Sequence, residues 1–311
     1  MPTWRVVSTS RICVFCGGPI TGRKGEHVLP QRLQRTLDLR GPFTLEVNGV
    51  PEMRRDGAVA WTNQSPRVML RDVCGSDDPN NCNGWLDQKF EQPGMPFVEQ
   101  VLGPDPVLDA YGVEQFARWM VKTLLLLAHP ATHHLGYRST QPRAWAAYPD
   151  RLLKDLRQTG LFPDCLSLWL AVYDPETGTG QLPAATRIVL DRTFYSDGSA
   201  GGGRGEATNI GFGTIDKRVI ELQLAYHPLC IVQHPFEQGG LATRLWPNPP
   251  DQLDLRAHPT LNATGLDQWK HVFLIGKSAF GVRPRHALEL NAAPGTRADP
   301  MPMPKEVCLH P

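Results

Sequence analysis

The spacing of apolar residues changes from a helical period in the middle of the chain to strand-like segments in its second half. Between Val113 and His129 large apolar residues recur every three or four positions, and the stretch Leu124–Ala128 is apolar on every side, which predicts a buried helix. Residues 138–158 carry a second helical pattern. Short apolar or alternating segments then predict strands over Leu166–Tyr173, Thr186–Phe194, Asn209–Ile215, Arg218–Tyr226, Leu229–Gln233 and His271–Ile275. Most of residues 235–270 are proline-rich and are expected to be irregular.

The chain up to residue 92 combines short strands with short helices. Asn48-Gly49 lies between alternating residues and is the preferred turn of a two-residue β-hairpin. After Cys82 the apolar residues return to a helical spacing, and Pro93 and Pro96 are expected to end that helix because proline has no amide hydrogen to donate. The remaining predicted elements are a strand at Glu26–Leu29, a helix over Gln31–Leu39, a hairpin over Phe43–Trp61 and a strand over Arg67–Val73.

These patterns together predict an α+β fold. The chain has 311 residues, enough for about two domains of ~150 residues each. We expect an N-terminal module over residues 1–92, a helical connector over 93–160, a β-rich C-terminal domain over 161–290 and a proline-rich tail over 291–311. No motif in the β-rich part indicates what that part does.

Composition narrows the classes of protein that the chain can belong to. Hydrophobic residues make up 41% of the chain, charged residues 20%, and the mean hydropathy is −0.30, values typical of a globular protein in water. The formal net charge of +1 gives no overall basic character, so any surface for an anionic polymer must be local. The longest apolar stretch is far shorter than the ~20 residues of a membrane span, and no membrane partner is expected.

Seven cysteines are present, at positions 13, 16, 74, 82, 165, 230 and 308. The number is odd and the start of the chain shows no secretory signal, so we expect a cytoplasmic protein without a disulfide framework. In a reducing compartment, paired cysteines more often bind metal. Cys165, Cys230 and Cys308 are expected to be unpaired thiols.

The other four cysteines form two pairs. Two residues separate Cys13 from Cys16, the shortest spacing at which two thiolates can bind one ion, and the Gly17-Gly18 that follows suits the tight turn this requires. Cys74 and Cys82 supply a second pair after a predicted strand, although seven residues lie between them where a compact knuckle has two. Four thiolates around one structural zinc ion are the favoured interpretation; the alternative is small buried residues without metal.

The motifs resemble a known family when they are taken in order. Cys13-x-x-Cys16, then Glu26-His27-Val28-Leu29-Pro30, then Cys82-Asn83 before a helix is similar to the HNH endonucleases of the ββα-metal fold, in their four-cysteine, zinc-stapled type. The resemblance covers about residues 11–92. The helix Phe116–Leu127, with Trp119, Lys122 and Thr123, resembles the one that follows the nuclease module in bacterial and phage HNH proteins of similar length.

The resemblance implies a DNA endonuclease and assigns roles to individual residues. His27 would be the general base that activates water, and Glu26 and Asn83 would bind one catalytic divalent cation, Mg²⁺ by preference. Cys13, Cys16, Cys74 and Cys82 would bind the structural zinc ion. Cleavage in the family leaves 3′-hydroxyl and 5′-phosphate ends, and DNA is the partner that it implies.

Two positions depart from the usual family pattern. The acid is Glu26, where aspartate is commoner, and the middle asparagine of the motif has no unique match: Asn63 is the nearest candidate, and Gln64 and Asn81 remain alternatives. Two other functions stay open on the sequence alone. One is a non-catalytic zinc ribbon that binds nucleic acid or protein, and the other is a nuclease that acts on RNA.

Overall fold

The structure, a computed structural model, describes residues 11–20, 25–37, 43–44, 46–47, 50–51, 62–63, 69–75, 81–129, 150–174, 188–192, 207–215, 217–225, 234, 236–262, 264–266 and 268–269. Over these residues helices and mostly antiparallel strands are mixed, which confirms the predicted α+β class. The predicted strands at Leu229–Gln233 and His271–Ile275 and the proline-rich tail lie outside this part of the chain.

The described helices are α1 (Gln31–Thr36), α2 (Cys82–Leu86), a π-helical turn (Asp87–Glu91), α3 (Gln92–Leu102), α4 (Ala110–Ala128) and α5 (Asp150–Thr159). The strands that precede α4 are β1 (Glu26–His27), β2 (Phe43–Thr44), β3 (Glu46–Val47), β4 (Val50–Pro51), β5 (Thr62–Asn63), β6 (Met69–Leu70) and β7 (Val107–Asp109). Those that follow it are β8 (Leu166–Tyr173), β9 (Ile188–Arg192), β10 (Ala207–Ile215), β11 (Arg218–Ala225), β12 (Thr243–Trp246), β13 (Gln252–Asp254) and β14 (Thr260–Leu261). None of these helices is long and apolar enough to cross a lipid bilayer.

The largest sheet within the described residues is built around β8. Its strands follow the order β12–β8–β11–β10–β9 with antiparallel neighbours, and the short β14 pairs with β8 in parallel. The predicted strands at Leu166–Tyr173, Asn209–Ile215 and Arg218–Tyr226 are confirmed to within two residues at each end. The expectation of irregular structure over 235–270 is wrong in part, because β12 and β14 find hydrogen-bond partners on the free edge of β8.

Helix α4 is the buried helix that its apolar pattern predicts. It packs against α3 and against β10 and β12 of the sheet. The carboxylate of Asp109 accepts a hydrogen bond of 2.8 Å from the Gly112 amide and so caps the first turn. The helix therefore begins at Ala110, three residues earlier than the apolar spacing indicates.

The helix that begins at Cys82 ends at neither Pro93 nor Pro96, so that prediction is wrong. The chain stays helical through α2, the π-helical turn and α3 as far as Leu102. In the π turn the Gln92 amide bonds to the Asp87 carbonyl, five residues back, and Pro93 follows in the first turn of α3. The wider turn shifts the hydrogen-bond pattern, and proline is tolerated in a first helical turn.

Short antiparallel strand pairs form among the described residues of the N-terminal part. β1 pairs with β6, with Glu26 opposite Leu70, and β2 pairs with β5. β3 pairs with β4 so that Val47 lies opposite Val50, which confirms the predicted hairpin across Asn48-Gly49. Buried residues from this part, from α4 and from the sheet form one continuous hydrophobic cluster. The boundaries proposed for separate domains stay a prediction.

A second core lies on the other face of β8. Leu168 and Leu170 belong to the main cluster, whereas Trp169 and Ala171 belong to the second one, as the alternation of side chains along a strand requires. The buried carboxylate of Glu221 accepts hydrogen bonds there from His234 and Trp269. The amide of Phe236 donates to Nδ1 of His234, so Nε2 carries the hydrogen and donates to Glu221 at 3.1 Å. The indole of Trp269 donates to the same carboxylate at 2.6 Å.

Candidate metal centre and acidic site

Four cysteine side chains from distant parts of the chain converge in one cluster. The sulfur atoms of Cys13, Cys16, Cys74 and Cys82 all lie within 4.8 Å of one another, and those of Cys16 and Cys74 are 3.9 Å apart. A tetrahedral zinc ion with Zn–S bonds of about 2.3 Å holds its sulfur ligands about 3.8 Å apart. The group could therefore hold a metal ion such as zinc, as the cysteine spacing predicts.

The first cysteine pair is held in a tight backbone knuckle. The Gly17 amide donates to the Cys13 carbonyl at 2.9 Å, and the Cys13 amide donates to the Gly18 carbonyl at 2.8 Å. Gly17 has φ of +73°, a conformation that side chains with a Cβ rarely adopt, so glycine is needed there. The Gly18 amide also points at the Cys16 sulfur, 3.4 Å away.

The second cysteine pair closes despite the long gap between its members. The backbone amide of Cys82 donates to the Cys74 sulfur at 3.1 Å, and the backbone amide of Asn83 donates to the Cys74 carbonyl at 3.3 Å. Asn81 caps α2, because its side-chain oxygen accepts a hydrogen bond from the Gly84 amide. Residues 76–80 lie outside the described part of the chain, but the ends of the gap meet at the N-terminus of α2.

The thiols of the cluster ionise unequally because they are so close together. The hydrogen bond from the Cys82 thiol lowers the pKa of Cys13 to about 4. Burial raises the pKa of Cys74 to about 11, and the hydrogen bond to Cys13 raises the pKa of Cys82. Cys13 therefore ionises more readily than Cys74 or Cys82. A bound metal cation would displace the thiol protons.

The residue after the last cysteine connects the cluster to a buried acid. Asn83 lies in the first turn of α2, and its side-chain nitrogen donates to Glu26 Oε2 at 2.6 Å and to the Gly25 carbonyl at 3.2 Å. Glu26 lies on β1 and is only 6% exposed. The structure therefore brings together two of the residues singled out in the sequence, although 57 positions separate them.

Gly25 leaves room for the strand pairing that orients Glu26. A Cβ at this position would overlap the Leu70 carbonyl and lie 2.9 Å from the Arg71 Cα. We expect Gly25→Ala to force β1 away from β6 and to lower the free energy of unfolding by about 1–3 kcal/mol, the usual cost of overpacking. Denaturant unfolding measures the loss.

Gly239→Ala is the matched control for this change, because nothing comes closer than 4.0 Å to a Cβ built there. Equal stability of the two alanine variants would show that the close approach of β1 and β6 at Gly25 is not needed.

The charge of Glu26 depends on its burial and on two neighbours. Burial raises the pKa of Glu26 to about 7; the Lys122 ammonium works against this, and the Asp87 carboxylate adds to it. Burial also lowers the pKa of Lys122 to about 8, while Glu26 and Asp87 favour its charged form. Burial thus disfavours the charged form of both side chains, and the charge of each favours the charged form of the other.

His27 and Asn63, which the sequence also singled out, lie in two different strand pairs. His27 follows Glu26 on β1, opposite Met69, and is half-buried. Neighbouring residues of a strand point to opposite faces. The contact with Asn83 therefore orients the Glu26 side chain and does not by itself bring His27 to the same face. Asn63 pairs with Phe43 in a different two-stranded ladder, and its side chain lies outside the described residues.

Lys122 and Glu91 form a buried ion pair that no sequence motif indicates. Lys122 of α4 is 1% exposed and forms an ion pair with Glu91, the last residue of the π turn. Trp119 donates from its indole nitrogen to the other Glu91 oxygen at 2.9 Å. The signal that could have revealed the pair is a lysine within the mostly apolar stretch Trp119–Ala128 of a helix, because a buried charge needs a partner.

Chemically, the site combines a soft four-sulfur group with a hard oxygen donor pair, joined by the dipeptide Cys82-Asn83. Sulfur donors favour zinc, and carboxylate and amide oxygens favour magnesium or manganese. Comparison with known proteins adds no relative, since no protein-family model, no curated protein and no solved structure matches the chain.

Proposed function

We propose that this protein is a metal-dependent endonuclease of the HNH type that hydrolyses phosphodiester bonds in DNA. The observation that carries the proposal is the direct link between the two groups of donors. Cys82 belongs to the cysteine cluster, and Asn83, the next residue, hydrogen-bonds to the buried carboxylate of Glu26 at 2.6 Å. A metal site that only stabilises the fold would not need an acid and an amide to converge beside the four cysteines.

The oxygen donors fit a divalent cation of the Mg²⁺ class. Glu26 offers a carboxylate, and Asn83 offers an amide that must turn its oxygen rather than its nitrogen toward a cation. A second indication is the free-energy cost of burying a charged carboxylate. Burial raises the pKa of Glu26 to about 7, so its anion is poorly stabilised without a cation. The bound ion would neutralise charge on the phosphate and on the departing oxygen.

The remaining work falls to the side chains of the chain itself. His27, half-buried and next to Glu26, takes a proton from the attacking water at one of its ring nitrogens. Histidine is the side chain that most often serves as the general base in proton transfer. Asn83 holds the Glu26 carboxylate in place, and a zinc ion in the cysteine cluster would fix α2 relative to the knuckle of Cys13 and Cys16.

The alternation of side chains along β1 favours one competing function. If His27 points away from Glu26 and Asn83, the three groups do not act on one phosphate, and the zinc-binding part would serve to recognise nucleic acid without cutting it. A nuclease that acts on RNA would use the same donors with a different substrate.

A substrate panel tests the proposal. Purified, zinc-loaded protein is incubated with supercoiled plasmid, linear duplex DNA, single-stranded DNA and RNA, with Mg²⁺ present or omitted. We expect DNA strand breaks only in the presence of Mg²⁺, with 3′-hydroxyl and 5′-phosphate ends. Binding without breaks would support the recognition module, and cleavage of RNA alone would change the substrate class.

A further inference from the structure

The four members of the cysteine cluster differ in their access to solvent. Cys16 is exposed. The other three, Cys13, Cys74 and Cys82, are each at most 2% exposed. Gly17, the residue after Cys16, also faces open space, because no atom lies within 4 Å of a Cβ built on it. Of the four cysteines, Cys16 is therefore the one that a small solute in water can reach.

The buried sulfur of Cys74 lies directly beside the exposed cysteine. The sulfur atoms of Cys16 and Cys74 are 3.9 Å apart. The backbones that carry them are also hydrogen-bonded, since the Val14 amide donates to the Asp72 carbonyl at 2.9 Å, and each of these residues precedes its cysteine by two positions. A disulfide joins sulfur atoms about 2.05 Å apart on neighbouring backbones. The two cysteines are thus placed so that a small movement brings their sulfurs into bonding range.

We propose that Cys16 is a site of oxidative modification by hydroperoxides and that Cys74 completes the reaction as the resolving cysteine. Redox-sensitive cysteines are accessible to solvent and often lie next to a resolving cysteine. Cys16 and Cys74 meet both conditions, whereas Cys165 is buried outside the cluster and meets neither. The inference rests on a metal ion in the cysteine cluster and not on the endonuclease proposal.

The reaction of this pair with hydrogen peroxide has two steps. The Cys16 thiolate attacks one oxygen, the O–O bond breaks and hydroxide leaves, so that Cys16 becomes a sulfenic acid. The Cys74 thiolate then attacks the Cys16 sulfur, the S–O bond breaks and a second hydroxide leaves as the disulfide forms. The two thiolates lose two electrons in all, the peroxide gains them, and both hydroxide ions take up protons from water.

The oxidation removes two of the four ligands of the cluster. Zinc is bound by thiolates, and the sulfurs of a disulfide are no longer thiolates. Cys13 and Cys82 alone leave the tetrahedral site half empty, so we expect the zinc ion to be released. Reduction of the disulfide by a thiol restores both thiolates, and the protein then binds zinc again.

Peroxide treatment of the zinc-loaded full chain tests the modification. Released zinc is measured by the colour of its complex with 4-(2-pyridylazo)resorcinol, and we expect about one ion per chain. The remaining thiols are blocked with N-ethylmaleimide, and mass spectrometry of a proteolytic digest identifies the linked peptides. A disulfide between Cys16 and Cys74 is expected. A disulfide between other cysteines, full retention of zinc, or a chain that binds no zinc before treatment overturns the inference.

Cys16→His removes the exposed thiol but keeps a zinc ligand, because sites with three cysteines and one histidine also bind zinc. We expect peroxide to release zinc from this variant no faster than buffer alone does. Release at the rate of the unchanged protein overturns the role of Cys16. The peptide map of the unchanged protein decides the question even for a histidine variant that binds no zinc, because the map needs no substitution.

Cys165→Ser is the matched control for the loss of a cysteine, because Cys165 is 4% exposed and lies outside the cluster. We expect it to release zinc at the rate of the unchanged protein, and slower release would overturn the assignment to Cys16 and Cys74. DNA cleavage by untreated, reduced protein tests the endonuclease proposal separately, so failure of one proposal is distinguishable from failure of the other.

Discussion

Replacing His27 by alanine is expected to abolish Mg²⁺-dependent DNA cleavage while leaving the protein folded and its zinc content unchanged. A positioned general base contributes about 10²–10⁴-fold to a hydrolysis rate, and alanine has no group that can accept the proton of water. Because His27 is half-buried and lies at the end of the two-residue strand β1, its loss should disturb little of the packing. The measurement is the initial rate of plasmid nicking at saturating Mg²⁺, together with the zinc content of the purified variant.

His258→Ala is the control for the loss of a histidine. His258 is also half-buried, and its Nε2 pairs with the Thr243 hydroxyl at 2.9 Å, far along the chain from the acidic site. We expect this variant to cleave DNA at the unchanged rate. Nicking by His27→Ala at the rate of the His258 variant would exclude His27 as the base and would favour the recognition module.

Replacing Cys74 by serine is expected to remove the metal from the cysteine cluster and to unfold the part of the chain around it. Cys74 is the cysteine whose sulfur receives the Cys82 amide and lies 3.9 Å from the Cys16 sulfur, so it is central to the cluster. Structural zinc contributes on the order of 10 kcal/mol of apparent binding free energy in zinc-finger peptides. The elements β1, β6 and α2 are too short to supply that stabilisation without the ion. Elemental analysis of the purified protein measures the zinc, and limited proteolysis reports the unfolding.

Cys165→Ser is the matched control, because Cys165 is a buried cysteine outside the cluster. We expect the control to retain about one zinc ion per chain, as four thiolates around one ion imply, and the Cys74 variant to retain almost none. Stoichiometric zinc in the Cys74 variant would mean that the ion does not need Cys74, and no zinc in the unchanged protein would mean that the four cysteines hold no metal.

Long elements with a regular apolar period could be predicted from the sequence. Helix α4 and strand β8 are examples, since each repeats its pattern over enough positions to exclude the other type of structure. The strands β12 and β14 could not be predicted, because they are short, lie in a proline-rich stretch and depend on the edge of β8 for their hydrogen bonds. The helix across Pro93 was missed for a related reason: a π turn changes the local hydrogen-bond pattern without a clear sign in the sequence.

For the candidate site, the sequence by itself determined which residues carry donor atoms. Cys-x-x-Cys, the acid Glu26 and the dipeptide Cys82-Asn83 are visible because their chemistry is tied to residue type and short spacing. Only the tertiary structure decided which of them meet: the four sulfurs in one cluster, the Asn83 amide on Glu26, and Lys122 on Glu91, 31 positions away on another helix. Contacts between distant segments depend on how helices and strands pack, and burial, which sets the pKa of Glu26, exists only once they have packed.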